Sequence, residues 1–202
     1  MKERIKRIFE AEASAILNIP MDESYEKAIG LIYHHVHERK GKLVTSGMGK
    51  AGQMAHDIAT TFSSTGTPAI FLHPSEAQHG DLGVIQENDI MLVISNSGKT
   101  RELTELIDLT NNLYKGIPLI VITGDPASML AGRADCVIHT GSPQEVCPLG
   151  LTPTTSTTVM TVIGDALVIM MMEKTGFTVE EYAKRHHGGY LGVLSRARAG
   201  KS

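Results

Sequence analysis

Hydrophobic and polar positions follow two different rhythms along the chain. The first two segments, about residues 3–18 and 22–39, carry apolar residues at helical spacing and are separated by Pro20. Five short apolar runs come next, each followed by a polar loop with glycine or proline, at residues 42–45, 69–72, 90–94, 118–122 and 136–139. The middle runs are almost continuous in Val, Ile and Leu, which indicates strands that are covered on both faces.

Helical patterns separate most of these strands, and others follow the last one. They are predicted at about residues 50–64, 100–114, 127–131, 154–175 and 179–185, ahead of a frayed terminus at 196–202. Strand, loop and helix in repeated succession indicate an α/β domain with a parallel sheet. Ligands bind beyond the carboxyl ends of the strands in such sheets, so the predicted site lies in the loops after residues 45, 72, 94 and 122.

The composition narrows the class of protein. A length of 202 residues fits one domain, and a formal net charge of -3 with a pI near 6.3 provides no basic field for nucleic acid. Cys136 and Cys147 form no C-x-x-C pair, so both are predicted to be free thiols of a reduced cytosolic chain.

Neither secretion nor membrane insertion is expected. The first ten residues lack the apolar core of a signal peptide. The most apolar stretch, residues 158–172, contains Gly164 and Asp165 and is short for a bilayer, so we predict a buried helix there. The predicted location is the cytoplasm.

The loop after the first strand reads T-S-G-M-G-K-A-G, residues 45–52. Gly47, Gly49 and Gly52 match the G-x-G-x-x-G spacing, but a lone match is a weak signal for a dinucleotide site. The ribose-binding acid expected about 20 residues further on is also missing. The glycines therefore indicate either a tight turn alone or a helix start at which Lys50 meets an anionic substrate.

The loop after the third apolar run reads S-N-S-G-K-T, residues 95–100. Ser95, Ser97 and Thr100 supply three hydroxyls, and the helix that begins near Thr100 adds free amides and its positive dipole end. This set predicts a cradle for one phosphate group. The competing interpretation is a helix cap, which needs only one hydroxyl.

Three further segments carry groups suited to proton transfer. The histidines and carboxylates of residues 73–83, among them His79, fit metal ligation, acid–base chemistry or a capped turn. Glu145 lies in a proline-bracketed loop before the long helix, and His186 precedes a glycine pair. A histidine at a helix end is often only solvated, so His186 by itself does not establish a site.

Together these segments resemble the sugar isomerase (SIS) domain of bacterial D-arabinose 5-phosphate isomerases. The landmarks cover nearly the whole chain in order: G-M-G-K-A-G at 47–52, T-G-T-P-A-I-F-L-H-P-S-E-A-Q-H-G-D-L-G at 65–83, I-S-N-S-G at 94–98, E-V-C-P-L-G-L-T-P-T-T-S-T-T at 145–158 and H-H-G-G-Y-L-G at 186–192. The S-N-S-G sequence alone would indicate only a phosphosugar-binding SIS domain.

The resemblance implies a three-layer α-β-α sandwich with a five-stranded, mainly parallel sheet, in a single SIS domain at residues 1–202. It implies interconversion of D-ribulose 5-phosphate and D-arabinose 5-phosphate without a cofactor, feeding Kdo synthesis for lipopolysaccharide or capsule. It also implies a homotetramer with sites between subunits. The catalytic residues it implies are Lys50, Glu102, Glu145 and His186. The substrate-binding residues it implies are Ser46, Gly47, His79, Ser95, Asn96, Ser97 and Thr100.

Two features depart from the family pattern. His187 stands where members commonly have proline, which leaves open which of the two adjacent histidines acts. Typical members continue into a pair of CBS regulatory modules, and this chain is expected to lack both the modules and regulation through them.

An aldose–ketose isomerase moves a proton between C1 and C2 through an enediol. We predict that the Ser95–Thr100 loop holds the phosphate, that His186 or a glutamate removes the carbon-bound proton, and that Lys50 stabilises the enediolate. Glu102 and Glu145 then move oxygen-bound protons or hold the histidine. Carboxylates buried near one another are expected to have a raised pKa, which suits an acid.

Three alternatives stay open. A phosphosugar-binding regulator needs the Ser95–Thr100 loop but not the acid–base set. An isomerase of a hexulose or heptose phosphate shares the fold, although the E-V-C-P-L-G and H-G-D-L-G sequences favour the arabinose 5-phosphate group. Zinc at His79 and His186 would inhibit rather than assist, because enediol chemistry runs on acid–base groups alone.

Overall fold

Five parallel strands form the centre of the fold. The computed structural model describes residues 1–200; the last two residues of the predicted frayed terminus lie outside that range. The strands are β1 Leu43–Gly47, β2 Ala69–Phe71, β3 Ile90–Ile94, β4 Leu119–Thr123 and β5 Cys136–His139. Their order is β2-β1-β3-β4-β5, and every pair is parallel. The predicted five-stranded sheet is confirmed.

Helices cover both faces of the sheet. They are α1 Lys2–Leu17, α2 Ser24–Ile32, α3 Gly49–Ser64, α4 Pro74–Ala77, α5 Arg101–Leu113, α6 Thr155–Thr175, α7 Val179–Arg185 and α8 Gly189–Ala199. Alternate strand residues face opposite ways, so Leu92 belongs to the core under α2, α3 and α6. Its neighbour Val93 belongs to the second core, which packs against α5. The result is a three-layer sandwich.

The strand order creates a crevice at one edge of the sheet. The chain leaves β1 toward β2 on one side and returns to form β3 on the other side of β1. Two neighbouring strands whose connections diverge in this way form a topological switch point, where ligands bind beyond the carboxyl ends. Here those ends carry Gly47 and Ile94, which are paired in the sheet.

One face of the long helix α6 lies in the core, so the predicted buried helix is buried along that face. It is the one helix within residues 1–200 that is long and apolar enough to span a membrane, and half of its most apolar window is buried. Gly164 allows close contact with α3, because a Cβ at this position would lie 2.4 Å from the Ile58 side chain. One face of α6 therefore packs closely against α3.

Two predicted local structures are wrong. Residues 127–131 form turns that lead into a short 3-10 helix, Ala131–Arg133, because Ser128 packs beneath Gly98 instead of starting a helix. The supposed frayed terminus is helical as far as Ala199. There Arg196 donates hydrogen bonds to the carbonyl groups of His186 and His187, which orders the segment.

Candidate active site at the carboxyl edge of the sheet

The Ser95–Thr100 loop presents hydroxyl protons at the end of β3. Ser95 Oγ lies 2.8 Å from Thr100 Oγ1, and the backbone N–H of Gly98 donates to Ser95 Oγ at 3.1 Å. One proton is used between the two hydroxyls, so the pair retains one for a ligand. Ser97 Oγ accepts from the backbone N–H of Lys99 at 3.2 Å, which leaves its own proton for a ligand as well.

The loop after β4 packs against the Ser95–Thr100 loop. Gly98 has a φ of +59°, and a Cβ there would lie 1.9 Å from Ser128 Oγ. The N–H of Gly124 donates to the Asn96 carbonyl at 3.0 Å, while the Asn96 side chain stays exposed. Lys99 pairs with Asp125 at 3.6 Å on the surface, where it supplies local charge. The backbone geometry of the cradle is thus imposed by its neighbour.

Helix α5 begins at this loop with its first amides open. Thr100 occupies the N-cap position, but no side chain within residues 1–200 caps the helix. The Thr100 hydroxyl is bonded to Ser95 instead. The capping interpretation of this loop is therefore wrong, and the free N–H groups and dipole of a thirteen-residue helix face the same place as the hydroxyls. This arrangement suits a phosphate.

The adjacent end of β1 carries Lys50 on the first turn of α3. Lys50 is exposed, and its Nζ lies 3.5 Å from Gln53 Oε1, a weak contact that leaves the ammonium free to reach a ligand. A Cβ on Gly52 would lie 2.5 Å from the Gly47 carbonyl oxygen. Packing of strand against helix thus explains these glycines without a dinucleotide.

Ser46 is placed differently from the prediction. Its side chain is fully buried, and its hydroxyl donates to the Leu72 carbonyl at 2.7 Å. This bond joins the ends of β1 and β2. A substrate contact through the Ser46 hydroxyl finds no support in this geometry.

His79 and Glu102 lie at the same edge as the cradle. Gln78 Nε2 donates to Glu105 Oε2 at 2.9 Å, which ties the segment after α4 to α5. The exposed His79 is therefore held beside α5, whose first turn carries the partly exposed Glu102. Lys50, His79 and Glu102 are thus placed at the same edge of the sheet as the Ser95–Thr100 loop.

Glu145 occupies the amino end of α6. Its Oε2 accepts from the Thr154 N–H at 2.7 Å and from Thr154 Oγ1 at 2.9 Å, and its Oε1 accepts from the Ser156 hydroxyl. Burial alone would raise the pKa of Glu145, but the hydrogen bonds from Ser156 and Thr154 outweigh it and lower the pKa below its ordinary value. The expectation of a raised pKa is wrong for this carboxylate, which is held ionised.

Cys147 follows Glu145 by two residues. Its Sγ accepts from the backbone N–H groups of Thr152 at 3.2 Å and Leu151 at 3.3 Å. The amide of Thr152 is the main cause that lowers the pKa of Cys147 to about 7. Burial instead raises the pKa of Cys136, whose thiol donates to the Ser24 carbonyl. Both cysteines are free thiols, as predicted.

His186 ends α7 with its ring held in a defined orientation. The ring stacks on Tyr182 with centroids 3.7 Å apart, and Nδ1 lies 3.0 Å from the Tyr182 carbonyl oxygen. A carbonyl only accepts, so Nδ1 carries the proton of the neutral ring. Nε2 is then a proton acceptor, as a general base requires.

The structure does not bring His186 to the Ser95–Thr100 loop within one chain. The preceding Arg185 lines a cavity along β2, with Ser63, Ser64 and Ala69 near the amino end and with Phe71 and His56 further along. The cradle lies beyond the carboxyl ends of the strands. Within residues 1–200, no hydrogen bond or ring contact joins His186 to the cradle or to His79; its ring contacts Tyr182.

His56 was missed, whereas His73 was predicted among the residues of segment 73–83 that fit metal ligation or acid–base chemistry. His56 and His73 line a cavity of about 450 Å³ together with Gly47, Gly49, Gly52, Gln53 and Phe71. His73 follows β2, so its edge position was predictable, and its Nδ1 accepts from the Ser75 N–H at 3.3 Å. His56 lies in the middle of α3, where no sequence signal separates it from a solvated residue.

No metal cluster is found in the described part of the chain. Across residues 1–200, no group of three or more His, Cys, Asp or Glu side chains could hold a metal ion. Within these residues, no contact joins His79 to His186, so the structure offers no support for zinc bound by this pair in one chain. Zinc bound in any other way stays a prediction.

Comparisons with known proteins agree with this architecture. The SIS domain family matches residues 36–170. Arabinose 5-phosphate isomerase KdsD of Shigella flexneri is 50% identical over 153 residues, which are 76% of this chain and 46% of the relative. This chain spans about half the length of the curated relatives that it matches.

Two solved structures are similar over most of their length. A candidate phosphosugar isomerase involved in capsule formation, from Bacteroides fragilis, has 64% identity and a TM-score of 0.93 over 94% of this chain and 99% of that chain. Protein c3406 of E. coli CFT073, solved in complex with arabinose 5-phosphate, has 36% identity and a TM-score of 0.81 over 90% of this chain and 95% of that chain.

Proposed function

Because the chain belongs to the SIS domain family, we propose that it is an aldose–ketose isomerase that interconverts D-ribulose 5-phosphate and D-arabinose 5-phosphate. One observation carries the proposal: the open cradle at α5 lies at the same sheet edge as Lys50 and Glu102. A regulator needs only the cradle. The names of the similar proteins, which include arabinose 5-phosphate isomerases and a protein in complex with arabinose 5-phosphate, support the choice of substrate.

The phosphate is the anchor in the proposed mechanism. Ser97, the Ser95–Thr100 hydroxyl pair and the first amides of α5 bind it and hold the sugar by its C5 end. The reacting carbons then lie away from the cradle. Binding of the phosphate thus orients C1 and C2, although the phosphate itself does not react.

Proton transfer proceeds at the other end of the substrate. A base removes a proton from C1 of ribulose 5-phosphate, and the electron pair forms the enediolate while the C2 carbonyl oxygen gains charge, which the Lys50 ammonium stabilises. Returning a proton to C2 and moving the O1 proton to O2 completes the aldose. We assign the base to Nε2 of His186 and the transfer between oxygens to Glu102. Glu145, held ionised at α6, orients the site.

His186 reaches the reaction from a second copy of the chain in this proposal. The absence of a contact between His186 and the cradle within residues 1–200 supports a site shared between subunits. The surface also favours assembly, since Phe9 is 68% exposed and Leu17 is 83% exposed. Leu17 and Met21 border a groove of about 900 Å³ between α1, α2 and α6. We therefore propose a homotetramer with active sites at its interfaces.

The biological setting follows from the substrate. Arabinose 5-phosphate would feed Kdo synthesis for lipopolysaccharide or capsule, which fits the capsule formation named for the similar Bacteroides fragilis protein. Two free thiols and a phosphorylated substrate fit the cytoplasm.

The decisive experiment incubates the purified protein with ribulose 5-phosphate in deuterium oxide. Formation of arabinose 5-phosphate with deuterium at C2 is expected, because an enediol exchanges its proton with solvent. Other pentose, hexose and heptose phosphates are assayed alongside, and parallel reactions contain a chelator. Binding of these phosphates without any conversion would refute the proposal in favour of a regulator, and faster conversion of a hexulose or heptose phosphate would replace the substrate.

A further inference from the structure

Glu12 connects α1 to the segment that carries Glu145. Glu12 Oε1 accepts a hydrogen bond from Thr155 Oγ1 at 2.9 Å, although the two residues are 143 positions apart. Thr155 Oγ1 in turn accepts from the backbone N–H of Val146 at 3.2 Å. A hydroxyl has one proton, and here it points to Glu12, so the lone pairs remain for Val146. Glu12 thus determines how the Thr155 hydroxyl is oriented.

The contact is partly buried, which raises the cost of breaking it. Thr155 is 1% exposed. The second oxygen of Glu12, Oε2, is also buried and has no donor among residues 1–200. If the Glu12 carboxylate were removed, the Thr155 hydroxyl would have to rotate to donate its proton to another acceptor. In that orientation its lone pairs would no longer be fixed toward the Val146 N–H.

Helix α1 has few other means of holding this position. Within the part of the chain that the structure describes, none of its sixteen residues is buried. It packs mainly against α6, at whose first residue the Glu12 bond is made. Glu12 is therefore a polar anchor between a shallowly packed helix and the start of α6, which Glu145 caps.

We propose that Glu12 is a positioning residue for Glu145. It holds the Thr155 hydroxyl, Thr155 holds the backbone at Val146, and the carboxylate of Glu145 is thereby kept on Thr154 and Ser156 at the start of α6. The catalytic part of this inference rests on the proposed isomerase function. The structural part does not, and the two are measured separately.

The first measurement is hydrogen–deuterium exchange of the segment 145–156 in the full chain, without substrate. Glu12→Ala is expected to speed exchange at this segment about tenfold, because the Val146 amide loses its fixed partner. Glu12→Gln keeps an acceptor oxygen and should stay within about twofold of the unaltered protein. The matched control is Glu10→Ala, since Glu10 lies on the same helix in an exposed pair with Lys6.

The second measurement is steady-state kinetics with ribulose 5-phosphate. Glu12→Ala should lower kcat about tenfold and leave KM within about twofold, because the phosphate cradle belongs to β3 and α5. Glu12→Gln should restore kcat. In addition, Glu12→Ala should cost little more in the background of Thr155→Val, which already lacks the hydroxyl.

Each outcome decides the proposal. Unchanged exchange in Glu12→Ala overturns it whether or not the protein is an isomerase. Faster exchange with unchanged kcat in an active enzyme overturns the positioning role, and so does a Glu12→Gln variant as impaired as Glu12→Ala. If the unaltered protein converts no sugar phosphate, the proposed function fails, while the exchange experiment still decides the anchoring. Should Glu12→Ala fail to fold, Thr155→Val and Thr155→Ser provide the same contrast from the other side of the bond.

Discussion

The amino ends of α5 and α6 both present free backbone N–H groups, but among the described residues a side chain binds these groups only at α6. At α5 no side chain within residues 1–200 caps the helix, and the nearby hydroxyls of Ser95 and Thr100 bond each other. At α6 the carboxylate of Glu145 accepts from Thr154 and Ser156 and fills the place that an anion would take. A helix start is therefore a ligand site only where the chain leaves it open, since each start offers the same free amides and dipole.

The largest expected effect comes from placing a carboxylate at the amino end of α5, as Glu145 is placed at the amino end of α6. Thr100→Asp places a carboxylate at the cradle, where repulsion of a phosphate about 4 Å away amounts to about 4 kcal/mol, or roughly a 10³-fold loss of kcat/KM. Aspartate and asparagine are both good N-cap residues, so neither should reduce thermal stability. Thr100→Asn is the neutral control. Equal losses in Asp and Asn would contradict an electrostatic cradle.

The second effect comes from removing the charge at α6. Glu145→Gln should lower kcat about 10²-fold, because misplacement of groups around the reacting atoms can cost that much even when the altered residue transfers no proton itself. KM should change little, because the phosphate is bound at α5. The exposed Glu87→Gln serves as the control for loss of a carboxylate. A rise in KM at constant kcat would place Glu145 in substrate binding instead.

The third effect concerns the thiol beside Glu145. With a pKa of about 7, Cys147 is roughly half thiolate at neutral pH, whereas an ordinary thiol with a pKa near 9 has about 1% thiolate. Alkylation by iodoacetamide should therefore be several tens of times faster at Cys147 than at buried Cys136 and should show a midpoint near pH 7. Mass spectrometry of the labelled peptides measures both rates. A midpoint above pH 8 would mean that the amides of Leu151 and Thr152 do not hold the sulfur in solution.

The smallest effect is a pH dependence of stability. The lowered pKa of Glu145 means that its contribution is fully present above about pH 4.5 and is lost as the pH falls through its folded value. Glu145→Gln should thus be less stable by about 1 kcal/mol at pH 7, with the difference narrowing below pH 4.5. Urea titrations between pH 7 and 4 measure it. Burial also lowers the pKa values of His35 and His37. Both histidines are present in the unaltered protein and in Glu145→Gln, so they do not contribute to the difference in stability. A constant difference across this range would disprove the ionised cap.

Much of the fold was predictable because its signals are local. A run such as residues 90–94 is apolar on both faces only where layers cover the sheet on both sides, and β3 spans the same residues. The failures involve distant partners. Helix α8 depends on the bond from Arg196 to the carbonyls at the end of α7, and residues 127–131 depend on the packing of Ser128 against Gly98.

In the candidate site as well, features set by local sequence were predictable and features set by distant partners were not. Ser97, Thr100 and Lys50 were predictable as edge residues, because each follows the carboxyl end of a strand. The burial of Ser46 was not, since its partner is the Leu72 carbonyl 26 positions away. Nor was the lowered pKa of Glu145, which depends on how the loop folds back onto α6.

The sequence by itself determined the five strands, the long helices around them and the chemistry carried by each loop, because apolar periodicity and turn residues act over a few positions. Only the tertiary structure decided which helix start stays open and which carboxylate is held ionised. Those outcomes depend on hydrogen bonds between residues far apart in the chain, such as Glu12 and Thr155, and no local pattern encodes such pairs.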